Sequence, residues 1–327
     1  MRADRSDWQG LTPSPGASTM NNGLPARWVI EAAIEAQSAA DTQRLASALA
    51  QLASEDPTFG YAHDGASPAF IVMATGQSNL DAHLAALRRA HGSDLRAGTP
   101  QIRYREALAR AVDVDYTHKK VTSGSGEFAR VRLRVEPGEP GAGTVFRSEV
   151  VGGVVPDRYI GGVEQGVRRV CETGLLAGFA IDAVVALYDG AFHEIDSSWT
   201  AFEIAGRSAM REGASQAGVK LLEPIMDVAV WVPPELAGAV IADMHKRGVR
   251  VEDGDSLLDS TAIGDVTVGD PILIVADAPL ARLLGYAEVL RAISGGRATC
   301  TMSFGRYAEV KRNDGPDDFA PAIAMRA

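Results

Sequence analysis

One stretch of the chain places several chemically active side chains close together. Residues 188–199 read Tyr-Asp-Gly-Ala-Phe-His-Glu-Ile-Asp-Ser-Ser-Trp, so that His193 stands among acids and serines. These are the parts of a hydrolytic triad, but neighbours in sequence point apart and cannot form a hydrogen-bonded relay. The stretch instead favours a turn at Asp189-Gly190 and a helix capped by Asp196, Ser197 or Ser198. Phe192 beside His193 is also a pair that could stack on an RNA base.

The other motifs argue against the common enzyme classes. The sequence contains no Gly-x-x-x-x-Gly-Lys-Ser/Thr loop and no Asn-Lys-x-Asp segment, the signatures of a P-loop GTPase. Gly124-Ser-Gly126 lacks the strand–turn–helix context of a dinucleotide site. The six histidines have no zinc-site spacing, and Cys171 and Cys300 lie on apolar faces expected to be core. We therefore predict no catalytic residue, no cofactor and no metal.

Composition limits the class of protein. A chain of 327 residues with 46% hydrophobic and 23% charged residues is expected to fold into two or three domains. No apolar run approaches the roughly 20 residues that span a bilayer, and the N-terminus does not resemble a signal peptide. A formal net charge of −10 argues against a DNA-coating protein. We predict a cytoplasmic protein that associates with neither membrane nor DNA.

The order of patterned segments predicts the fold. After a disordered leader at residues 1–25, segments from Trp28 to Arg105 alternate as strand, helix, strand, strand, helix and a closing strand over 101–105, which is the split βαβ, ferredoxin-like plan. The first helix is expected to begin at a Ser38 cap, and both helices carry an apolar face of leucines. The same order returns from Ile225. The expected fold is α+β, with two ferredoxin-like domains (26–103 and 223–310) flanking a central α+β domain (104–222). An acidic insertion at 251–270 and a flexible tail at 311–327 complete the prediction.

The central domain carries a second candidate for RNA contact. A polar strand at 112–120 and a flexible loop at 122–126 precede a strict alternation of apolar residues with arginines. Val131, Leu133 and Val135 are expected inside, which leaves a basic outer stripe made of Arg130, Arg132 and Arg134. The stripe is a candidate RNA surface, and a plain solvated strand face is the alternative. An amphipathic helix over 160–171, a buried strand over 181–187 and a helix from about Ser198 follow.

A series of segments, in order along the chain, matches one known protein family. The matching segments are Ala53-Ser-Glu-Asp-Pro-Thr-Phe59, Val150-Val-Gly-Gly-Val-Val-Pro156 with Tyr159-Ile160, Gly174-Leu-Leu-Ala-Gly178, Leu187-Tyr-Asp-Gly190 with His193-Glu-Ile-Asp-Ser-Ser198, Ala201-Phe-Glu-Ile-Ala-Gly206, Leu221-Leu-Glu-Pro-Ile-Met226, and Gly285-Tyr-Ala287 with Leu290-Arg291 and Gly296-Arg297. Through these segments the sequence resembles the C-terminal half of elongation factor G, the ribosomal translocase. The resemblance implies domains III, IV and V of that family, with a left-handed βαβ crossover in domain IV.

The resemblance also implies where RNA would be contacted. In the family, domain IV is a lever whose tip enters the decoding site of the ribosome behind the transfer RNA, and His193 stands where the family keeps a tip histidine near the anticodon end. The implied tip residues are Ser123, Gly124, Ser125, Gly126, Glu127, Phe128, Asp189, Gly190, Phe192, His193, Glu194 and Asp196.

Departures from the family pattern predict altered activity. The printed sequence has no counterpart of the family's GTPase and β-barrel domains, so we expect a non-enzymatic protein rather than a complete translocase. Glu127 in the first tip loop should repel phosphates, and the acidic insertion should weaken contact with ribosomal RNA. The segment Gly76-Gln-Ser-Asn-Leu-Asp81 loses a histidine and a carboxylate on the side that would face a GTPase.

Four functional hypotheses follow. The first is a protein that still binds the ribosome, with weakened affinity, through its tip and arginine stripe. The second is a protein-interaction module whose partner is a separate protein, such as a GTPase acting in trans. The third is a folded but idle gene product. A small-molecule enzyme is the last.

Overall fold

The computed structural model describes residues 28–36, 38–63, 69–91, 95–122, 125–251 and 271–310. These residues form two compact units. One unit contains residues 104–222 with 309–310, and the other contains residues 28–103 with 223–308. The predicted leader, the predicted tail and nearly all of the predicted acidic insertion lie outside the described residues.

The first ferredoxin-like portion is a small antiparallel sheet with two helices. Its elements are β1 (Ile30–Glu35), α1 (Ala39–Glu55), β2 (Phe59–Ala62), β3 (Ala69–Ala74), α2 (Gln77–His91), β4 (Arg96–Ala97) and β5 (Gln101–Ile102). The strand order is β2-β3-β1-β4, and β5 also pairs with β1. Ser38 caps α1 as its side chain accepts a hydrogen bond from the Asp41 amide. The predicted leucine faces of both helices pack into the core, although Leu52 at the end of the first face is only partly buried.

The closing strand of this portion differs from the prediction of one strand over 101–105. It is divided into β4 and β5, which pair with opposite ends of β1. Pro100, which has no amide hydrogen to donate to a ladder, lies between them. Arg105 belongs to the other unit, where it begins β6.

The second ferredoxin-like portion repeats this plan. Its elements are β11 (Val219–Val232), α5 (Pro234–Lys246), β12 (Arg250–Val251), β13 (Ile272–Pro279), α6 (Leu280–Leu283), α7 (Tyr286–Ser294) and β14 (Thr299–Glu309). β11 lies between β13 and β14. Valines of β11 and apolar side chains of α5 join those of the first portion in a single core cluster. The Gly285 amide donates to Oε1 of Gln77 at 2.9 Å, so α2 and the start of α7 are directly bonded.

The unit of residues 104–222 is a mixed sheet covered on one face by two helices. Its elements are β6 (Arg105–Leu108), β7 (Val112–Thr122), β8 (Ser125–Pro137), β9 (Thr144–Ser148), α3 (Asp157–Thr173), β10 (Ile181–Ala191) and α4 (Trp199–Ala217), followed by the first residues of β11. The strand order is β6-β10-β8-β7, and β9 runs parallel to β10. β9, α3 and β10 thus form the crossover unit. Val131, Leu133 and Val135 are fully buried, as predicted.

Glycines let α3 and α4 pack backbone against backbone. A Cβ atom at Gly166 would lie 2.2 Å from the Glu203 carbonyl oxygen, and one at Gly206 would lie 2.6 Å from the Val163 carbonyl oxygen. Neither position has room for a side chain. The predicted apolar face of α3 is buried, including Val163, Val167 and Cys171.

Two buried carboxylates hold loops of this unit in place. Glu106 is completely buried and accepts hydrogen bonds from the five consecutive amides of residues 175–179. Asp182, also completely buried, bonds to the Arg105 guanidinium and to the amides of Gly141 and Gly143. Such carboxylates are tolerated because each oxygen is saturated with donors.

None of the described helices is both long and apolar enough to cross a membrane.

Candidate nucleic-acid interface

Two separate segments meet at one end of the 104–222 unit and form a surface that we call the tip. The segments are the end of the β7–β8 hairpin and residues 192–198 between β10 and α4. The Phe128 amide donates to the Asp196 carbonyl at 2.9 Å, and the Ser197 hydroxyl donates to the Phe128 carbonyl at 2.6 Å. The structure therefore brings together the two loops that the sequence implied as a contact site.

The first loop is shorter than the flexible loop expected over 122–126. β7 and β8 remain paired up to Thr122 and Ser125, so Gly126, Glu127 and Phe128 are strand residues. The remaining two predicted tip residues of this loop, Ser123 and Gly124, lie outside the described residues. Gly126 makes the closest approach to the second loop, because a Cβ atom there would lie 2.7 Å from the Asp196 carboxylate.

The second loop begins later than the predicted turn at Asp189-Gly190. β10 continues through both residues to Ala191, with a bulge between Leu187 and Asp189. A Cβ atom at Gly190 would lie 2.5 Å from the Arg130 carbonyl oxygen, so glycine serves close strand packing here rather than a turn. The turn prediction was wrong because an Asp-Gly pair fits a bulged strand as well as a turn. Asp189 is ion-paired with Arg132 at 3.0 Å.

His193 is the most accessible polar ring of the tip. Its side chain is 54% exposed. Nδ1 accepts from the Asp196 amide at 3.3 Å and the Ile195 amide at 3.4 Å, while Oδ2 of Asp196 also lies 3.3 Å away. When Nδ1 is an acceptor, the neutral ring carries its proton on Nε2. Nε2–H is then the donor that a ligand would meet.

The serines beside His193 do not form a nucleophilic site. The Ser197 hydroxyl accepts from the His193 main-chain amide and donates to the Phe128 carbonyl, so it does not bond to the imidazole. The Ser198 hydroxyl accepts from the Ala201 amide and caps α4. Of the three predicted caps, Ser198 is therefore the one that the structure uses, rather than Asp196 or Ser197. The arrangement is a structured loop end and not a relay of the triad kind.

Apolar and basic side chains complete the tip surface. Ile195 is 85% exposed, Val121 is 80% exposed, and Phe192 is also exposed. Lys119 and Lys120, both exposed, lie on β7 opposite Phe128 and Glu127. Because successive strand residues point to opposite faces, the two ammonium groups lie on opposite sides of the hairpin end. Each can neutralise a phosphate, and the exposed apolar groups can cover a base. Glu194, the remaining predicted tip residue, is exposed in the same loop.

The acidic residue of the first loop has a partner within the protein. Oε2 of Glu127 lies 2.8 Å from Nε2 of His118 on the neighbouring strand. The hydrogen bond from His118 lowers the pKa of the Glu127 carboxyl below its usual range, and nearby Lys120 adds to this effect. Glu127 is thus held as an anion, and one of its carboxylate oxygens is bonded to His118 of the same sheet.

The arginine stripe is present as an exposed strand face, but its charge is balanced. Asp115 bonds to both Arg130 and Arg132. The hydrogen bond from Arg130 is the largest cause that lowers the pKa of Asp115 to about 2. Arg132 also pairs with Asp189, and Arg134 lies 3.6 Å from Asp113.

Glu149 is a further acid beside the stripe, 3.8 Å from Arg134. Three guanidinium groups therefore face four carboxylates, those of residues 113, 115, 149 and 189, which gives a formal local charge of −1. These pairs favour the alternative of a solvated strand face, while RNA contact by the stripe stays a prediction.

The cysteines and the metal-binding residue types add no reactive centre to the described part of the chain. Burial raises the pKa of the Cys171 thiol to about 11, which suppresses the thiolate. Burial also raises the pKa of Cys300, a partly buried core neighbour, to about 11. Within the described ranges, no three His, Cys, Asp or Glu side chains are grouped closely enough to hold a metal ion.

Several residues of this site were not identified from the sequence as contributors to the tip. They are His118, Lys119, Lys120 and Tyr159. Only the two adjacent lysines gave a local signal, since basic residues near a hairpin end suit a phosphate contact. His118 lies only nine residues before Glu127, but the pair depends on the register of the β7–β8 hairpin, which the predicted loop over 122–126 did not fix. Tyr159 lies 38 residues before Ser197, so no local spacing linked it to the tip.

The fold and the tip define an α+β protein in which ferredoxin-like portions accompany a unit that ends in a hairpin and a histidine-bearing loop. Family models that describe three consecutive parts of one factor match the chain: "Elongation Factor G, domain III" over residues 26–99, "Elongation factor G, domain IV" over 100–218 and "Elongation factor G C-terminus" over 220–316. The chain belongs to the elongation factor G family and corresponds to its C-terminal part.

Individual relatives agree with this placement. The chain is 46% identical over 286 residues to proteins named elongation factor G from Cereibacter sphaeroides and from Paracoccus denitrificans. These alignments cover 87% of the chain and 39% of each relative's length. A crystal structure of a Thermus thermophilus protein superposes with a TM-score of 0.61 at 30% identity, covering 90% of this chain and 42% of that one. The chain thus spans about two-fifths of the length of these relatives.

Proposed function

We propose that the protein binds the decoding region of the ribosome through its tip, as a non-catalytic cytoplasmic factor whose contacts are mainly with RNA. The observation that carries the proposal is the joining of two loops, distant in sequence, into one exposed surface around His193. Membership of the elongation factor G family supports the choice of partner, because the matching domain IV segment contains the whole tip.

The chemistry of the tip suits a base or a sugar–phosphate segment of RNA. Phe192, Ile195 and Val121 offer apolar contact, His193 offers a ring and an N–H donor, and the two lysines offer positive charge. Because few cations are present, the contribution of phosphate contacts is small. An affinity that rests on about two lysines should fall with a log–log salt slope of about −2.

The proposal assigns a lesser part to the arginine stripe. Its guanidinium groups already bond to carboxylates of the same sheet, so RNA would have to compete with Asp113, Asp115, Asp189 and Glu149. Weakened ribosome affinity is the expected result. The absence of a P-loop motif from the sequence supports a role without nucleotide hydrolysis by the chain itself.

The altered α2 segment gives no support to the alternative of a protein-interaction module. Gln77 accepts from the Gly285 amide, and the Asn79 amide group donates to Thr75 and Thr58. Both substituted side chains are therefore used within the protein. A docking surface for a separate GTPase would have to use other residues of this segment.

Co-sedimentation with vacant bacterial ribosomes across a salt series tests the proposal. We expect the wild-type protein to pellet at low salt and His193→Ala to weaken binding about tenfold, which is the usual range for losing one stacking contact. His245→Ala is the matched control, because His245 is an exposed histidine on α5 in the other unit. Failure of the folded wild-type protein to pellet at low salt would refute ribosome binding and favour the protein-interaction hypothesis.

A further inference from the structure

We propose that Ser197 is the positioning residue of the tip: its hydroxyl fixes the backbone of His193 against the β7–β8 hairpin, so that both loops meet RNA as one preformed surface. This inference rests on the proposed function for its RNA-binding consequence. Its structural part concerns the free protein alone.

Ser197 connects three parts of the unit. Its hydroxyl oxygen accepts from the His193 amide at 2.9 Å and donates to the Phe128 carbonyl at 2.6 Å. Its own amide donates to the His193 carbonyl at 3.1 Å. Its carbonyl accepts from the Tyr159 hydroxyl of α3 at 3.1 Å. One residue therefore links the histidine loop to the hairpin and to a helix of the hydrophobic core.

The hydroxyl group is required because it acts in both directions. A serine hydroxyl offers one donor and two acceptor sites, and Ser197 uses the donor towards one loop and an acceptor towards the other. Alanine would leave the Phe128 carbonyl and the His193 amide without these partners. The bond from the Phe128 amide to the Asp196 carbonyl would remain, so the loops would stay near each other but lose their fixed alignment.

Tyr159 gives this arrangement a rigid base. Its ring lies 7% exposed and stacks on Phe202 of α4 with a centroid distance of 4.9 Å. The hydroxyl that reaches Ser197 therefore comes from a packed side chain whose rotamer is fixed. Loops that are held in their binding geometry before contact lose less conformational entropy on binding. Removing the Ser197 hydroxyl should weaken RNA binding even though the hydroxyl itself need not touch RNA.

The neighbouring serine provides a matched control. Ser198 caps α4 by accepting from the Ala201 amide, so its hydroxyl serves the helix rather than the hairpin. Ser198→Ala should therefore lower the stability of the unit without loosening the histidine loop. Ser197→Ala should loosen the histidine loop and leave the cap of α4 intact. Ser197→Thr keeps the hydroxyl and should behave like the wild type.

Amide hydrogen exchange of the full-length free protein is the first measurement. We expect Ser197→Ala to speed exchange of the His193 amide about tenfold, a change that corresponds to the loss of one ordinary hydrogen bond. Exchange at Val131 and Leu133, which are buried residues in the middle of β8, should stay at the wild-type rate. Tyr159→Phe is the second variant, because it removes the bond to the Ser197 carbonyl while keeping the packed ring, and we expect a smaller increase at the same amide.

Binding to vacant ribosomes is the second measurement. Ser197→Ala should weaken binding about threefold to tenfold, and the effect should nearly vanish when His193 is already alanine, because the serine acts through the histidine. Unchanged exchange at His193 in both Ser197→Ala and Tyr159→Phe would overturn the inference. So would faster exchange accompanied by wild-type ribosome affinity. If the wild-type protein does not bind ribosomes, the proposed function fails, and the exchange result alone decides whether Ser197 fixes the loop.

Discussion

Nε2 of His118 and Oε2 of Glu127 lie 2.8 Å apart across the β7–β8 hairpin. The carboxylate that the sequence marked as a source of repulsion at the tip is thus bonded to an imidazole of its own sheet. Lys120, directly opposite Glu127 in the strand register, adds a favourable positive charge. Whether this acid harms RNA binding therefore depends on its partner as much as on its own charge.

The first prediction concerns that pair. His118→Ala removes the internal donor, so Glu127 should repel phosphates more strongly and ribosome affinity should fall about twofold to fivefold, which is typical of a surface charge effect. Glu127→Gln should raise the affinity by a similar factor. Co-sedimentation at low salt measures both. Glu172→Gln, an exposed acid at the far end of α3, is the control and should leave affinity unchanged. Equal affinities in all four proteins would contradict the prediction.

The second prediction concerns Asp115, the carboxylate that bonds to two arginines of the stripe. Asp115→Asn removes the carboxylate that bonds to Arg130 and Arg132, so two guanidinium groups become available to phosphate. Ribosome or single-stranded RNA binding should increase, and its salt slope should become steeper by about one to two units. Arg134→Ala, at the other end of the stripe, should change the wild-type affinity by less than about twofold, as for an exposed ion pair. A fall in RNA affinity after Asp115→Asn would show that the carboxylate positions the arginines for contact.

The third prediction is a pH dependence of stability that arises from His83. This residue is buried beside Phe59, and its Nε2 has no hydrogen-bond partner among the described residues, with the Asp56 carboxylate 3.6 Å away. Burial lowers the pKa of His83 below its ordinary value of 6.5, although Asp56 partly opposes the shift. The unfolded chain therefore binds more protons than the folded one once the pH falls below about 6.5.

Stability should consequently fall as the pH is lowered through that value. His83→Leu should remove this part of the dependence and raise the melting temperature most at about pH 5, because the apolar side chain has no proton to gain and no unsatisfied nitrogen. Thermal unfolding at several pH values between about 5 and 8 measures the effect. His245→Leu changes an exposed histidine and should reproduce the wild-type profile. Parallel profiles for the wild type and His83→Leu would rule out His83 as the source.

The fourth prediction tests the close contact of α3 with α4. Gly166→Ala places a Cβ atom 2.2 Å from the Glu203 carbonyl oxygen, so the helices must separate, and unfolding free energy should fall by more than about 2 kcal/mol. Gly161→Ala is a nearby change on the same helix, where the nearest atom, Nε1 of Trp199, lies at 3.7 Å. That change should be neutral or stabilise by about 0.5 kcal/mol, since alanine favours a helix over glycine. Urea denaturation compares the two variants, and equal losses of stability would contradict the prediction.

Local patterns were sufficient to predict most elements of the fold. Alternation identified Val131, Leu133 and Val135 as buried, and the helical spacing of Val163, Val167 and Cys171 identified the inner face of α3. The Ser38 cap was predicted from residues within one turn. These features depend on neighbours in sequence, because burial of one strand face or one helix stripe imposes a period of about 2 or 3.6 residues.

The limits of an element were less predictable when they depended on pairing with distant residues. Asp189 and Gly190 resemble a turn, yet they continue β10 because β8 supplies hydrogen-bonding partners as far as Arg130. The strand expected over 101–105 is divided between two elements. Its first residues form β5 and pair with β1, whereas Arg105 begins β6 in the other unit. Strand pairing is decided by a partner that lies far away in the chain, and tertiary context overrides local turn signals.

The sequence by itself determined the family, the α+β class and the identity of His193 as the residue to test, because these rest on residue types in a linear order. Only the tertiary structure decided the state of the charged groups. Arg130 and Arg132 read as a free basic stripe until the strand register placed Asp115 between them. Ser197 read as one of three possible caps until folding placed Phe128 and Tyr159 beside it. Charge balance and hydrogen bonding depend on distances of about 3 Å between atoms, and for residues distant in sequence those distances are set by the packing of the sheet and helices.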